Sequence, residues 1–288
     1  MNSKLTINTE TCVKCGKCAR VCPSQILTQE TQGHPIKIQN ENYCIGCGHC
    51  VAVCPTHSVL HIEFPPEKIH SFKYDDYPSP EQMMLLCKAR RSNRAFSTKP
   101  VPQELLQQII EAAHRAPTAS NKQQIYFTLV TDPDKLDAIS RFTLNVFNPI
   151  AKKLKNPILQ PILKRIIPDV YRYLPVFERL NQEYNNGHDQ ILRGATAALF
   201  IYTPKNNRFG SADANLAYQN GSLMAECLGV SQFYMGFVCT AIQQEKKGTL
   251  AKLLGINGTI HAAMALGMPE FRFSNYIDKK DVVVNIIS

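Results

Sequence analysis

The apolar positions of the chain fall into short blocks with two different periods. Residues 4–9 alternate polar and apolar side chains, as a half-buried strand does, and 35–39 repeat that pattern after a turn at Gly33. Beyond Val101-Pro102-Gln103-Glu104, apolar Leu105, Leu106, Ile109, Ile110 and Ala113 recur at helical spacing. Ser79-Pro80-Glu81 predicts an earlier helix, with Ser at the cap and Pro in the first turn. Met83, Met84, Leu86 and Cys87 then read as its buried face up to Arg90. Residues 125–130, 195–202 and 261–266 are apolar runs of strand length. The longest, 195–202, is broken only by Thr196 and is far too short to span a bilayer. Residues 145–187 behave differently. Prolines at 149, 157, 161, 168 and 175 predict a series of short amphipathic pieces, with Ile150, Leu154, Ile158, Ile162 and Ile166 along one side. Such a segment reads as a lid or as an arm that embraces a second copy.

Chemistry enters with the cysteines. Cys12-Val13-Lys14-Cys15-Gly16-Lys17-Cys18-Ala19-Arg20-Val21-Cys22-Pro23 recurs, ligand for ligand, as Cys44-Ile45-Gly46-Cys47-Gly48-His49-Cys50-Val51-Ala52-Val53-Cys54-Pro55. Three thiolates at this spacing wrap one face of an iron–sulfur cube, and the fourth, before a chain-turning proline, ligates the other cluster. The expected quartets are therefore Cys12, Cys15, Cys18 and Cys54 for one [4Fe–4S] cluster, and Cys44, Cys47, Cys50 and Cys22 for a second. Zinc sites need four ligands, not two quartets, and usually separate their cysteine pairs by a longer loop. A disulfide framework belongs to a secreted chain, and Met1-Asn2-Ser3-Lys4 leads into the first loop without an apolar leader. A cytoplasmic and anaerobic setting is the expectation. The segment 1–64 resembles bacterial two-cluster ferredoxins, down to the aliphatic pairs Ile26-Leu27 and Val59-Leu60. The remaining Cys87, Cys227 and Cys239 read as buried thiols.

The prolines Pro65, Pro66, Pro78 and Pro80 mark 65–80 as a stiff linker and leave 81–288 for a second domain. With 288 residues, 44% hydrophobic and 19% charged, the chain is long enough for both a ferredoxin-sized module and a larger core. The formal net charge of +9 is concentrated in 149–183, where Lys152, Lys153, Lys155, Lys164, Arg165, Arg172 and Arg179 face only Asp169, Glu178 and Glu183. This stretch is either a solvated face or a landing surface for an acidic ferredoxin-type donor. No nucleic-acid-reading motif, G-x-G-x-x-G or P-loop is present, and no histidine pair has metal-ligand spacing.

Two polar stretches remain. Arg90-Arg91-Ser92-Asn93-Arg94 offers guanidinium forks and a hydroxyl matched to phosphate, although such a run also suits a solvated helix end. Pro117-Thr118-Ala119-Ser120-Asn121-Lys122-Gln123-Gln124 is a loop of small and amide side chains that lets backbone approach a flat ligand. In this order, followed by Asp213-Ala214-Asn215, Phe233-Tyr234-Met235-Gly236-Phe237 and Gly267-Met268-Pro269-Glu270-Phe271-Arg272, they resemble the FMN-dependent nitroreductase family over about 81–288. Gln124 and Ile125 stand where the family has Pro and Trp, which touches loop shape rather than the contacting residues. The resemblance implies an α+β sandwich carrying FMN at the interface of a homodimer. Arg90, Arg91, Ser92 and Arg94 would hold the phosphate, ribityl chain and pyrimidine edge, with Arg272 adding a phosphate contact. Pro117, Thr118, Ala119 and Asn121 would meet the ring of the second subunit, and Met235 and Gly236 would present backbone near N5 and O4.

Together the two modules imply an oxidoreductase passing electrons from its clusters to FMN and on to a small-molecule acceptor: a nitroaromatic, a quinone or an activated alkene. The alternatives are NAD(P)H oxidation with electrons leaving through the clusters, or a non-enzymatic redox carrier or sensor. No side chain stands out as the catalytic acid.

Overall fold

The computed structural model describes residues 4–287. It divides into two compact units: the chain up to Pro78 together with Ala119–Lys122, and Ser79–Thr118 together with the chain from Gln123 onward.

The first unit is built as a doubled motif. Strand β1 (Leu5–Ile7) precedes helix α1 (Lys17–Val21) and β2 (Leu27–Thr28); β3 (Lys37–Ile38) precedes α2 (His49–Ala52) and β4 (Val59–His61). The repeats interlock rather than standing side by side: β1 pairs antiparallel with β4, and β2 with β3. Leu5, Ile26, Leu27, Val51 and Val59 form the small core between them. The aliphatic pairs after each Cys-Pro thus supply one buried residue of the second pair and both of the first. Gly16 and Gly48 cap the two helices at φ 72, a left-handed backbone that glycine adopts without the steric cost a Cβ adds.

The second unit opens with α3 (Pro80–Ala89), where Ser79 Oγ accepts from the Gln82 amide and Gln82 Oε1 accepts from the Ser79 amide. It continues through α4 (Gln103–His114), β5 (Tyr126–Val130), α5 (Pro133–Leu154), α6 (Gln160–Ile166), α7 (Pro168–Tyr171) and α8 (Leu174–Asn185). Then come β6 (Ala197–Thr203), α9 (Gly210–Cys227), β7 (Ser231–Tyr234), α10 (Gly236–Gln244), α11 (Thr249–Leu253) and β8 (Thr259–Gly267). The four strands form one antiparallel sheet in the order β5-β6-β8-β7. Alternate side chains of a strand face opposite layers. Ala198 and Phe200 of β6 join the cluster of α5, α8 and α10, while Ala197, Leu199 and Ile201 join those of α4 and α9. Both faces are covered, so β6 is apolar from Ala197 to Ile201. The result is the expected α+β sandwich.

Four expectations fail. Pro149 does not break the chain but lies inside α5, while Pro161, Pro168 and Pro175 sit in the first turns of α6, α7 and α8, where a missing N–H costs nothing. The side proposed for 150–166 also splits: Leu154 is buried, whereas Ile158, Ile162 and Ile166 are exposed. The expected buried face of α3 is largely open: Met83, Met84 and Cys87 are exposed and Leu86 is half-buried, with α9 the main element packed against the helix. Cys87 and Cys227 are likewise exposed, and of the three extra thiols only Cys239 is buried.

Candidate functional site

The eight cysteines expected to bind clusters converge as two groups. Cys12, Cys15, Cys18 and Cys54 line one cavity, and Cys22, Cys44, Cys47 and Cys50 line another. Each cavity thus takes three thiols from one motif and the last from the other, because the antiparallel interlock carries each Cys-Pro turn across to the opposite loop. Burial first, then the neighbouring thiols Cys47, Cys22 and Cys44, push the Cys50 thiol up to about 11. Among the described residues no three His, Cys, Asp or Glu side chains gather closely enough for a single metal ion.

Amide donors already point at the crossing cysteines. The Ile26 amide donates to Cys22 Sγ at 3.3 Å, and the repeat-related Ser58 amide to Cys54 Sγ at 3.2 Å. Burial raises the Cys54 thiol, but the amides of Thr56, Val59 and Ser58 outweigh it and leave the thiol below its usual range. The repeat is broken at one position. Buried His61 accepts the Glu63 amide at Nδ1 (3.1 Å), so its ring proton is on Nε2, which stands 3.5 Å from Cys44 Sγ. Gln29, its counterpart in the first repeat, instead donates to the carbonyls of Lys14 and His34. Sequence reasoning left His61 as an ordinary residue, and the comparison of the two repeats was the signal that marked it.

In the second unit a cavity of about 830 Å³ opens beside the β7–α10 turn. Met235, fully buried, ends the strand and caps α10, and Gly236 begins the helix with open space where a Cβ would stand. Both line the cavity together with Arg94, whose guanidinium lies over the Phe233 ring. Arg90 and Arg94 also lie close to the Tyr218 hydroxyl, whose pKa burial raises and these two cations lower.

The rest of the arginine run is held by buried amides. Residues 95–97 pair with 268–270 through Ser97 N–H to Met268 O and Glu270 N–H to Ala95 O. Asn93 is buried, donates from Nδ2 to Phe271 O and accepts the Ala95 amide, each at 3.0 Å. Gln232, also buried, donates to Ser222 Oγ and the Arg91 carbonyl and accepts from Tyr218. Arg91 stacks on Phe273, and the Arg272 guanidinium lies against Gly229. The structure therefore brings Arg90, Arg91, Ser92, Arg94 and Arg272 into one region. Asn93 and Gln232 tether that region and were missed, because an amide between arginines has no sequence signature of burial.

None of the expected loop residues is among those lining this cavity. Pro117 is exposed, Thr118 Oγ1 accepts the Gln123 amide, and Ser120, Asn121 and Gln123 all hold positive φ. Ala119 and Asn121 belong to the first unit, where Asn121 Nδ2 donates to the carbonyls of Ile45 (3.3 Å) and Gly46 (2.7 Å) in the second cluster loop.

Residues 87–268 match the model of the nitroreductase family. The chain belongs to that family. Residues 4–63 match a 4Fe-4S dicluster domain. This nitroreductase is 23% identical over 197 residues (66% of this chain, 87% of the other) to an Archaeoglobus fulgidus protein named, by inference, an NADH dehydrogenase/NAD(P)H nitroreductase. Its fold is similar to that of an FMN-bound nitroreductase from Desulfitobacterium hafniense DCB-2 at 18% identity and a TM-score of 0.55, covering 71% of this chain and 97% of that one. One from Bacteroides fragilis NCTC 9343, also with bound FMN, gives 19% and 0.52, covering 72% and 99%. The resemblance read from the motif order is thereby borne out, and the chain is an oxidoreductase of nitroreductase type fused to an iron–sulfur module.

Proposed function

We propose that this nitroreductase receives single electrons at two [4Fe–4S] clusters and, using FMN, reduces a nitroaromatic, a quinone or an activated alkene. The observation that carries the reading is the cavity wall of Arg94, Met235 and Gly236, a cation beside bare backbone at a helix start. When bound, the clusters move one electron at a time, and FMN takes electrons singly and releases a hydride equivalent. The chain's own residues bind and orient. Arg90, Arg91, Ser92 and Arg272 would hold the phosphate and ribityl chain, and Arg94 would supply positive charge that favours a reduced flavin. Phe147, Phe177 and Phe237 line the cavity and keep water from it. Pro117, Thr118, Ala119 and Asn121 serve the second copy's ring; with its Nδ2 engaged, Asn121 has its Oδ1 left to offer.

A homodimer follows from two open apolar surfaces. The extended tail leaves Val283, Ile286 and Ile287 at least 87% exposed, and the Met83, Met84 and Leu85 face of α3 is uncovered. The occupant we assign to both is a second copy of this chain. The V283D/I286D variant is expected to sediment as a monomer and to lose flavin on gel filtration; a variant that stays dimeric with full flavin overturns that assignment.

No helix among the described residues is long and apolar enough to cross a membrane. Thiolate-held clusters suit the reducing cytoplasm. There an acidic ferredoxin is the proposed donor, landing on the 149–183 stretch. Part of that charge is spent internally, Lys155 on Glu178 and Arg172 on Asp169, which leaves Lys152, Lys153, Lys164, Arg165 and Arg179 outside any ion pair among the described residues. The deciding assay is anaerobic turnover of a nitroaromatic with reduced ferredoxin against NAD(P)H. Turnover with ferredoxin that falls steeply with salt is expected; turnover with NAD(P)H alone reverses the direction of flow.

The His61 donor predicts an asymmetry between the clusters. A ring N–H aimed at Cys44 Sγ favours the more negative, reduced state of the cluster held by Cys44, Cys47, Cys50 and Cys22. H61F keeps the ring packing against Phe64 but removes the donor. Its second cluster is expected to titrate at a lower potential, with the first unchanged, in an EPR-monitored reduction.

A further inference from the structure

The cavity beside Gly236 has a second wall that the flavin reading leaves unused. Ile150 and Leu154 of α5, Leu163 of α6, Val170 of α7 and Phe177 of α8 make it apolar. Its volume, about 830 Å³, lies near the top of the range of roughly 300–1,000 Å³ for small-molecule sites.

Arg193 interrupts this wall. It is half-buried, lines the cavity, and makes no ion pair or hydrogen bond among the described residues. The nearest carboxylate, Asp189, is otherwise engaged: Oδ2 accepts from Ser140 Oγ, and Oδ1 accepts the amides of Ile191 and Leu192. Asp169, also on the wall, pairs with Arg172. Burial, and after it the neighbouring cations Arg94 and Arg179, lower the Arg193 pKa, and the Asp189 carboxylate offsets them only in part. The backbone at Arg193 is left-handed, with φ 57, immediately before Gly194 at φ 76. A non-glycine residue in that region costs on the order of 1 kcal/mol and persists where the surroundings impose it.

We propose that the cavity binds apolar acceptors carrying one anionic group, a carboxylate or its equivalent, and that Arg193 holds that group. The apolar wall takes the body of the molecule, and Lys153, on the same wall without an ion pair among the described residues, adds long-range attraction. The proposal rests on the flavin reading for calling this molecule an acceptor. Its binding, however, can be read without turnover.

The test is calorimetric titration of the oxidised, cofactor-loaded dimer with 4-nitrobenzoate and with 4-nitrobenzyl alcohol, which match in shape and differ in charge. The carboxylate is expected to bind about tenfold tighter or more, as a charge-assisted hydrogen bond allows. Decanoate should displace it where acetate does not. In R193Q the preference should shrink to about twofold, through weaker binding of the carboxylate alone, with the flavin absorbance unchanged. Equal affinities in the wild type overturn the proposal, and so does a preference that survives in R193Q. R193Q purified without flavin also overturns it, since Arg193 would then be holding the cofactor. Should R193Q not fold, the wild-type pair of ligands still decides. If wild-type protein itself carries no flavin, the flavin reading fails separately, because the calorimetric preference remains measurable.

Discussion

Replacing Cys54 with Ala is expected to abolish the cluster of the first loop, not that of the second motif to which Cys54 belongs in sequence. The cavity that Cys54 lines is shared with Cys12, Cys15 and Cys18. Removing it leaves three thiolates there and four on the other site, so roughly half of the EPR signal from intact reduced clusters should vanish. Paired substitutions decide whether the ligands cross. C12A/C54A should lose no more signal than C54A alone, because both changes strike one site. C44A/C54A should lose it all. The opposite outcome, with C44A/C54A equivalent to C54A, would return each fourth cysteine to its own loop and contradict the interlocked strands. Turnover with an electron-carrier donor should collapse in every one of these variants, whereas direct chemical reduction of the flavin should survive.

The second large effect is expected at Asn93. Its side chain is the tether between the arginine run and the stretch after β8: it accepts from the Ala95 amide and donates to the Phe271 carbonyl. Leucine fills the space but leaves both backbone groups without a partner. Stranding a buried group costs about 1–3 kcal/mol. For a unit of this size that corresponds to a fall in melting temperature of roughly 3–10 °C. The functional loss should exceed the stability loss, since Arg91, Ser92 and Arg94 on one side and Arg272 on the other are positioned through this residue. N93L should therefore purify depleted in flavin and regain it only in excess FMN. Full flavin content together with a normal melting temperature would show that the Ser97–Met268 and Glu270–Ala95 bonds suffice on their own.

What could be read before any fold was known follows from how local each signal is. A cluster loop closes over a dozen residues, so Cys-x2-Cys-x2-Cys-x3-Cys carries its ligand geometry in its own spacing. Strand β6 announces itself because a strand covered on both faces reads as a continuous apolar run, here Ala197 to Ile201. The donors that Arg90, Arg91, Ser92 and Arg94 offer were visible as residue types, and the family followed from the order of such stretches along the chain.

Tertiary structure decided the features that depend on distant partners. Pro149 sits within α5 even though its ring removes a helical donor, because Phe147, Ala151 and Leu154 on either side of it are buried in the core. The apolar face of α3 stays open because a period of 3.6 reports a face, not what covers it. Asn93, Gln232 and His61 acquire their roles only where chain segments far apart in sequence meet. Arg193 is the clearest case. In the sequence it is one more cation in a basic protein, and only the fold places it half-buried, strained and unpaired against an apolar wall. Charge and periodicity are local properties of a chain, whereas burial and the presence or absence of a counter-charge arise only when it folds.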